Sequence, residues 1–343
     1  MKRLLNTLYV TTPKAHLSRE GETVVVTVED EVKLQVPIHT IGGLVCFGQQ
    51  FCTPALLGLC AERNVTVTFL SVYGRFLARV EGPVSGNVLL RREQYRRADD
   101  AEFSANISRN ITIAKIANSR TVLMRAAREQ ESGEGAEALK NAADELARHI
   151  NALGEPMPLE AIRGKEGDAA RTYFEVFNHL ITAQKESFAF HERSRRPPLD
   201  NVNALLSFLY TILANDVASA LEGVGLDPAV GYFHEDRPGR PGLALDLMEE
   251  FRAYLADRLV LSLINLKQVK PEGFVTTESG AVVMDDDTRK TLLTEYQKRK
   301  QEEITHPFLN EKVAVGLLPH VQAMLLARFL RGDLDGYPPF VFK

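Results

Sequence analysis

Tryptophan is absent from the 343 residues, and cysteine occurs three times, at Cys46, Cys52 and Cys60. Those cysteines show no C-x-x-C spacing and no nearby histidine pair. A disulfide framework and a Cys/His zinc site are therefore both excluded, and reduced thiols in a cytoplasmic chain are expected. Residues 4–10 are too short and mixed for a secretory signal. No apolar run approaches the roughly 20 residues that span a bilayer, and there is no internal repeat or long low-complexity tract. Positive charge is not in excess either: 41 Lys and Arg against 45 Asp and Glu leave a net charge of −4, with a pI near 6.1. Phosphate binding, if present, has to rest on local cations. Three basic clusters offer them: Arg91, Arg92, Arg96 and Arg97; Arg193, Arg195 and Arg196; and Lys298, Arg299 and Lys300. Each also fits a solvated face, the commoner fate of charge runs.

The chain is long enough for two domains, and its pattern changes part-way. Residues 8–12, 23–28, 32–36, 44–47, 65–70 and 75–80 are short runs rich in β-branched or apolar residues, separated by turn signals. Between them, 53–63 reads as one helix, with Thr53 as N-cap and Pro54 at the first helical position. Residues 1–86 are thus expected to form a small β-rich domain, with 83–87 as linker. Residues 87–343 read as a larger all-α domain, so the fold class is α+β. The expected helices are 91–128, 137–153, a short turn at 159–162, 169–182, 203–221 with Asp200 as N-cap, 243–266, 285–303 and 315–330. A hairpin is expected over 274–283. The Pro- and Tyr-rich tail reads as mobile.

Residues 230–252 (VGYFHEDRPGRPGLALDLMEEFR) stand out. An apolar start presents His234; a Pro/Gly/Arg loop follows; then an apolar helix carries Asp246, Glu249 and Glu250. Residues three apart share a helix face, so Asp246 and Glu249 point together and Glu250 is rotated away. Ionised carboxylates seldom interrupt an apolar run without a purpose. His234 beside them completes a set suited to a hard divalent cation, Mn²⁺ tolerating the imidazole better than Mg²⁺. Taken singly, each of these residues is more often structural. Arg237 and Arg240 in the loop are cations able to face a phosphate.

This stretch resembles the signature of the CRISPR adaptation integrases, the metal-dependent Cas-one endonucleases. Further strings resemble the same family: R-G-K-E at 163–166, R-R-P-P-L-D-N-V-N-A-L-L-S-F-L-Y at 195–210, Y-Q-K-R-K at 296–300, and H-P at His306 and Pro307. The tail L-A-R-F-L-R-G-D-L-D-G-Y-P-P-F is similar to that of a type I branch, subtype I-C. The resemblance implies that Glu166, His234 and Asp246 ligate one Mg²⁺ or Mn²⁺, with Glu249 as a fourth ligand or water-mediated contact. Without it, Glu166 reads as a carboxylate at a helix start. Asn203 and Tyr210 are candidate residues orienting the ligands. Arg195, Arg196, Arg237, Arg240 and Arg252 are candidate DNA contacts.

The implied reaction is metal-assisted phosphoryl transfer, in which the 3′-OH of a captured DNA fragment attacks the CRISPR repeat. The implied partners are DNA, a second copy of the chain, a small ferredoxin-like protein (Cas-two) and a Cas-four nuclease, in a prokaryotic cytoplasm. The rival readings are a metal-dependent hydrolase of small phosphoesters and a non-catalytic DNA-binding subunit.

Overall fold

The computed structural model describes residues 5–82, 87–130 and 133–342; residues 83–86 of the expected linker lie outside that set. The N-terminal region holds two four-stranded sheets. The first runs β1 (Asn6–Val10), β5 (Ile41–Phe47), β7 (Thr66–Leu70) and β8 (Phe76–Val80), with the first three parallel and β8 antiparallel to β7. The second runs β4 (Glu31–Pro37), β3 (Thr23–Val28), β2 (His16–Glu20) and β6 (Phe51–Cys52). Helix α1 (Pro54–Glu62) begins as expected, with the Thr53 hydroxyl accepting from Leu56 N at 3.3 Å. Strand β2 carries no strand signal of its own. It is mostly polar, with Leu17 its one buried residue, and exists because β3 pairs with it along all five residues.

The first sheet buries its other face against the helical region. Phe47 stacks on Phe208 at 5.7 Å. Gly74, with φ of +82°, lies so close to Phe208 that a Cβ there would come within 2.7 Å of that ring. Arg79 donates to Glu222 at 2.8 Å and to Asn215 at 3.0 Å, while Gln297 donates to Thr7 O at 2.8 Å.

The helical region comprises α2 (Val88–Ala98), α3 (Ala101–Glu129), α4 (Glu134–Ala152), α5 (Leu159–Glu175), α6 (Asn201–Val224), α7 (Gly242–Met248), α8 (Arg258–Asn265), α9 (Asp286–Gln301) and α10 (Leu318–Leu330). It is not purely α: β9 (Phe274–Thr276) pairs with β10 (Val282–Met284), and β11 (Glu303–Thr305) with β12 (Lys312–Ala314). Three boundaries differ from expectation for identifiable reasons. The long helix expected over 91–128 divides at Asp99–Asp100, because the Asp100 carboxylate caps α3, accepting from Glu102 N and Phe103 N. Helix α5 runs unbroken through Gly164 and Gly167, since Ile162, Ala169 and Tyr173 are buried on one side of it and both glycines face open space. The helix expected over 243–266 is interrupted by a π-helical turn, Arg252–Asp257, between α7 and α8.

Helix α6 is the central helix. It is long and apolar enough to span a bilayer by length and composition, at a hydropathy of 1.5, but two-thirds of that window (67%) is buried inside the fold. The Asp200 carboxylate caps it, accepting from Asn203 N at 2.7 Å.

The C-terminal tail is fixed rather than mobile. Tyr337, Phe340 and Phe342 are buried. Asn118 on α3 donates to Phe340 O and accepts from Phe342 N. Glu250, rotated away from Asp246 as expected, is fully buried and accepts from Tyr337 Oη at 2.6 Å, Phe340 N at 2.7 Å and Gln322 Nε2 at 3.0 Å. Burial pushes the Glu250 carboxyl up to about 8, against these three donors. Glu250 is thus a tail anchor and not an idle surface acid. Glu250→Ala strands three buried donors and is expected to lower the melting temperature by at least about 5 °C and to expose residues 333–342 to protease. Calorimetry and limited proteolysis check this; an unchanged melting point refutes the anchoring role.

Candidate active site

The site is assembled around Asp246, which is fully buried within α7. Its Oδ2 accepts from Tyr232 N at 2.6 Å and Phe233 N at 3.0 Å. Its Oδ1 accepts from His234 N at 2.9 Å and from the His234 ring, Nδ1 at 2.7 Å. Three backbone N–H groups donate to it as an ionised, acceptor-only carboxylate, so the Nδ1 contact is made with the proton on Nδ1. The approach requires glycine. A Cβ on Gly231 would fall 2.8 Å from Asp246 Oδ2, and one on Gly242 would fall 2.7 Å from Ala229 O. From the other side, Arg163 of α5 donates to Phe233 O at 2.8 Å and pairs with Glu235 at 2.8 Å, tying the same loop to α5.

With Nδ1 committed, His234 has Nε2 as its remaining ligating atom, and its side chain is only 18% exposed. Glu249, at the end of α7, is close enough to the His234 ring for the two to interact electrostatically. Its Oε1 accepts from Arg252 Nη1 at 2.6 Å, and Oε2 lies 2.7 Å from Lys115 Nζ. Burial alone would raise the Glu249 carboxyl, but Arg252 and Lys115 pull it down to about 2. Lys115, from the middle of α3, also pairs with Glu166 of α5. One ammonium therefore joins the Glu166 and Glu249 carboxylates. Among the described residues, no three His, Cys, Asp or Glu side chains stand close enough as placed to hold a metal ion.

Beneath this layer lies a second. Asp257, in the π-helical turn, accepts from Tyr210 Oη at 2.6 Å and Tyr173 Oη at 3.1 Å. Burial raises the Asp257 carboxyl even though both hydroxyls and Arg252 favour its charge. The Arg252 guanidinium stacks 4.2 Å over the Tyr210 ring. Lys115, Glu166, Arg195, Tyr210, Arg252 and Asp257 line a cavity of about 30 Å³, room for one water or ion.

The expected site residues distribute unevenly. Glu166, His234, Asp246, Glu249 and Arg252 are brought together, Tyr210 supports Arg252, and Arg195 reaches the cavity wall. Asn203 serves the 192–200 loop: it is buried, donates to Glu192 O at 2.8 Å and accepts from Arg193 Nη1 at 2.5 Å and Ser194 N at 3.1 Å. It orients that loop, donating also to the Asp200 carboxylate, and is not hydrogen-bonded to Glu166, Asp246, Glu249 or Asp257. Arg196 and Arg237 are exposed, Arg237 lying 3.8 Å from Glu235, and Arg240 is half-buried. Glu166 sits mid-helix, so the carboxylate-at-a-helix-start reading does not hold. Lys115, Arg163, Tyr173 and Asp257 went unread. Lys115 within I-T-I-A-K-I-A is a lone charge in an apolar run, the same signal that marked Asp246, whereas Asp257 within A-Y-L-A-D-R-L-V-L stands beside Arg258 as an adjacent charge pair in such a run.

A family profile described as CRISPR associated protein Cas1 matches residues 8–298. The chain belongs to the Cas1 family. A CRISPR-associated endonuclease Cas1 of Chlorobaculum tepidum is 56% identical over the full length of both chains. A CRISPR-associated exonuclease Cas4/endonuclease Cas1 fusion of Geobacter sulfurreducens is 38% identical over 98% of this chain and 60% of its own. Among solved structures, a CAS1 protein from Thermotoga maritima superposes with a TM-score of 0.81 at 22% identity, covering 97% of this chain and 99% of that one. A casposase bound to integration product gives 0.85 at 20% identity, covering 99% and 95%. A Cas6-RT-Cas1–Cas2 complex gives 0.82 at 22% identity, covering 99% of this chain and 36% of that one. At these identities the solved structures establish the Cas1 fold.

The Asp246 geometry yields a stability prediction. Asp246→Asn places an amide NH₂ against buried donors and is expected to cost about 3 kcal/mol, whereas His234→Ala, which spares the backbone bonds, costs about 1 kcal/mol. Urea unfolding of both variants measures the difference; equal losses refute the loop-fixing role of Asp246.

Proposed function

We propose that this Cas1 protein is a metal-dependent DNA endonuclease and integrase, and that Glu166, Glu249 and His234 Nε2 hold one Mg²⁺ or Mn²⁺. The observation that carries the reading is Lys115, whose ammonium sits where two carboxylates converge beside an oriented imidazole. That donor set suits a hard divalent cation with one nitrogen ligand. Asp246, first read as a ligand, has its acceptor positions filled. Its part is to orient His234, in the carboxylate–histidine arrangement common behind metal-bound imidazoles.

A cation held there supplies polarisation of the scissile phosphodiester and charge for the leaving oxygen. The chain's own groups do the rest. Lys115 balances Glu166 and Glu249 when they hold no metal. Arg252, fixed between Glu249 and the Tyr210 ring, keeps Glu249 ionised. Arg195 at the cavity wall, with Arg196, Arg237 and Arg240 on exposed loops, faces the phosphates. The residues at the site include no dedicated base for water, since Asp246 already binds Nδ1 of His234. A positioned 3′-OH of a DNA fragment is then the simpler nucleophile against the CRISPR repeat.

The cavity of about 30 Å³ weighs against a small phosphoester as substrate, and the pairing of Lys115 with both Glu166 and Glu249 weighs against a non-catalytic subunit. For assembly, we propose a homodimer through the sheet region, where Phe51, Tyr73, Phe76 and Leu77 are exposed. The complex and fusion named above support a Cas2-type partner and a Cas4 nuclease. We place the chain in the type I-C branch, on its tail motif, and in a prokaryotic cytoplasm.

The test is strand joining. With a Cas2 partner and Mn²⁺ or Mg²⁺, a labelled fragment with free 3′ ends is expected to enter a repeat-containing duplex on a gel. A 3′-dideoxy fragment should bind and fail to join. His234→Ala and Glu249→Gln should reduce joining by at least about 10²-fold while the protein stays folded. Equal product from blocked and free ends refutes 3′-OH attack, and full activity in either variant refutes the site.

A second check is ionic. DNA binding should weaken steeply with salt despite the acidic pI, through release of phosphate counterions. An affinity flat in salt refutes the contribution of local cations.

A further inference from the structure

A second cavity lies away from the carboxylate cluster. It encloses about 960 Å³ and is lined by Arg120, Arg125, Arg128, Arg258 and Arg299, with Tyr254 as its aromatic floor and no Asp or Glu in its wall. In a chain of net charge −4, that is a local reversal of sign. The residues it uses from α3, at 120, 121, 124, 125 and 128, form a stripe centred roughly 150° around that helix from Lys115, and Arg128 is ~20 Å further along it. The cavity is therefore a separate site.

Its arginines are only partly neutralised. Arg125 pairs with Glu129 at 3.0 Å, Arg299 pairs with Glu302, and Arg120 donates to Ala143 O at 3.1 Å. Arg258 and Arg299 share the Tyr254 ring, at 5.4 and 5.0 Å, and Arg258 also lies 5.6 Å from the Phe342 ring. Burial, then the Arg299 and Arg125 charges, pull the Arg258 guanidinium below its ordinary value. Like charges held together in a concave wall favour an anion between them. Guanidinium groups fixed on aromatic rings are pre-positioned for phosphate oxygens. The volume stands near the top of the range for small-ligand pockets, too large for one phosphate. The tail residue Phe342 and the β11 end at Thr305 complete the wall, so the fold that fixes the tail also builds this cavity.

We propose that this arginine cavity is a second nucleic-acid site, which grips successive phosphates of a DNA segment on the side of α3 away from the carboxylates. The choice of DNA over a free polyphosphate rests on the strand-transfer reading above, which requires the protein to hold two DNA segments. The chemistry of the lining, linked or multiple phosphates, does not depend on that reading.

The experiment uses the full chain and the double variant R128Q/R299Q, with R125Q/R128Q as a second pair on exposed positions of α3. Both are first checked by thermal unfolding. Anisotropy of a fluorescein-labelled DNA duplex is followed through a salt series, and inorganic tripolyphosphate is titrated separately by calorimetry. The expected result is duplex binding weaker by about tenfold at fixed salt, with the log–log salt slope reduced by about two. Unchanged DNA affinity and slope in both pairs overturn the proposal. So does loss of tripolyphosphate binding with DNA binding intact, which would make the ligand a free polyphosphate. If the wild type joins no strands but the pairs still lose duplex binding, the strand-transfer reading fails and the second site stands.

Discussion

A single buried carboxylate determines whether the site exists. Asp246 takes backbone N–H bonds from Tyr232, Phe233 and His234 and a ring N–H from His234. Those contacts turn a loop rich in glycine and proline into a fixed shelf and choose the histidine tautomer. The contacts also require bare backbone at Gly231 and Gly242, which brings the carboxylate within van der Waals distance of the main chain. A charge buried without partners would be prohibitive; one with four donors becomes an organising centre.

Around that centre the charges are matched in series. Glu166 pairs with Lys115, Lys115 with Glu249, Glu249 with Arg252, and Arg252 rests on Tyr210, which is bonded to Asp257. The π-helical turn makes the last step possible. It sets Arg252 toward Glu249 while Asp257 meets Tyr173 and Tyr210. In a regular helix from 243 to 266 those residues would be spaced differently around the axis, so the irregularity belongs to the site.

Much of this was legible in the residues. Carboxylates inside the apolar run 243–251 and a Pro/Gly/Arg loop before it pointed to the stretch that holds the Asp246–His234 contact, because burial of charge is rare enough to be informative. The capped helices at Thr53 and Asp200 were legible for a local reason, a side chain accepting from an N–H three residues on; Asp285, expected as the first residue of its helix, turns out to cap it in the same way. What failed was non-local. Asp246 and Glu249 share a helix face, and face alone does not tell which one spends its oxygens on the backbone. Strand β2 depends on β3, and the continuity of α5 through two glycines depends on what its buried side touches. The tail read as mobile from its composition. It is held by Asn118 and Glu250, more than 80 residues away in the chain.

The seam between sheet and helices has a consequence for how the molecule opens. Phe47 on Phe208, Gly74 under the same ring, Arg79 on Glu222 and Gln297 on Thr7 are spread along the whole contact. A two-part chain joined this way is a single cooperative unit: amide protons in β5 and α6 should exchange through the same global event and not through independent openings. The sheet region then cannot swing as a lever on its own without breaking those contacts.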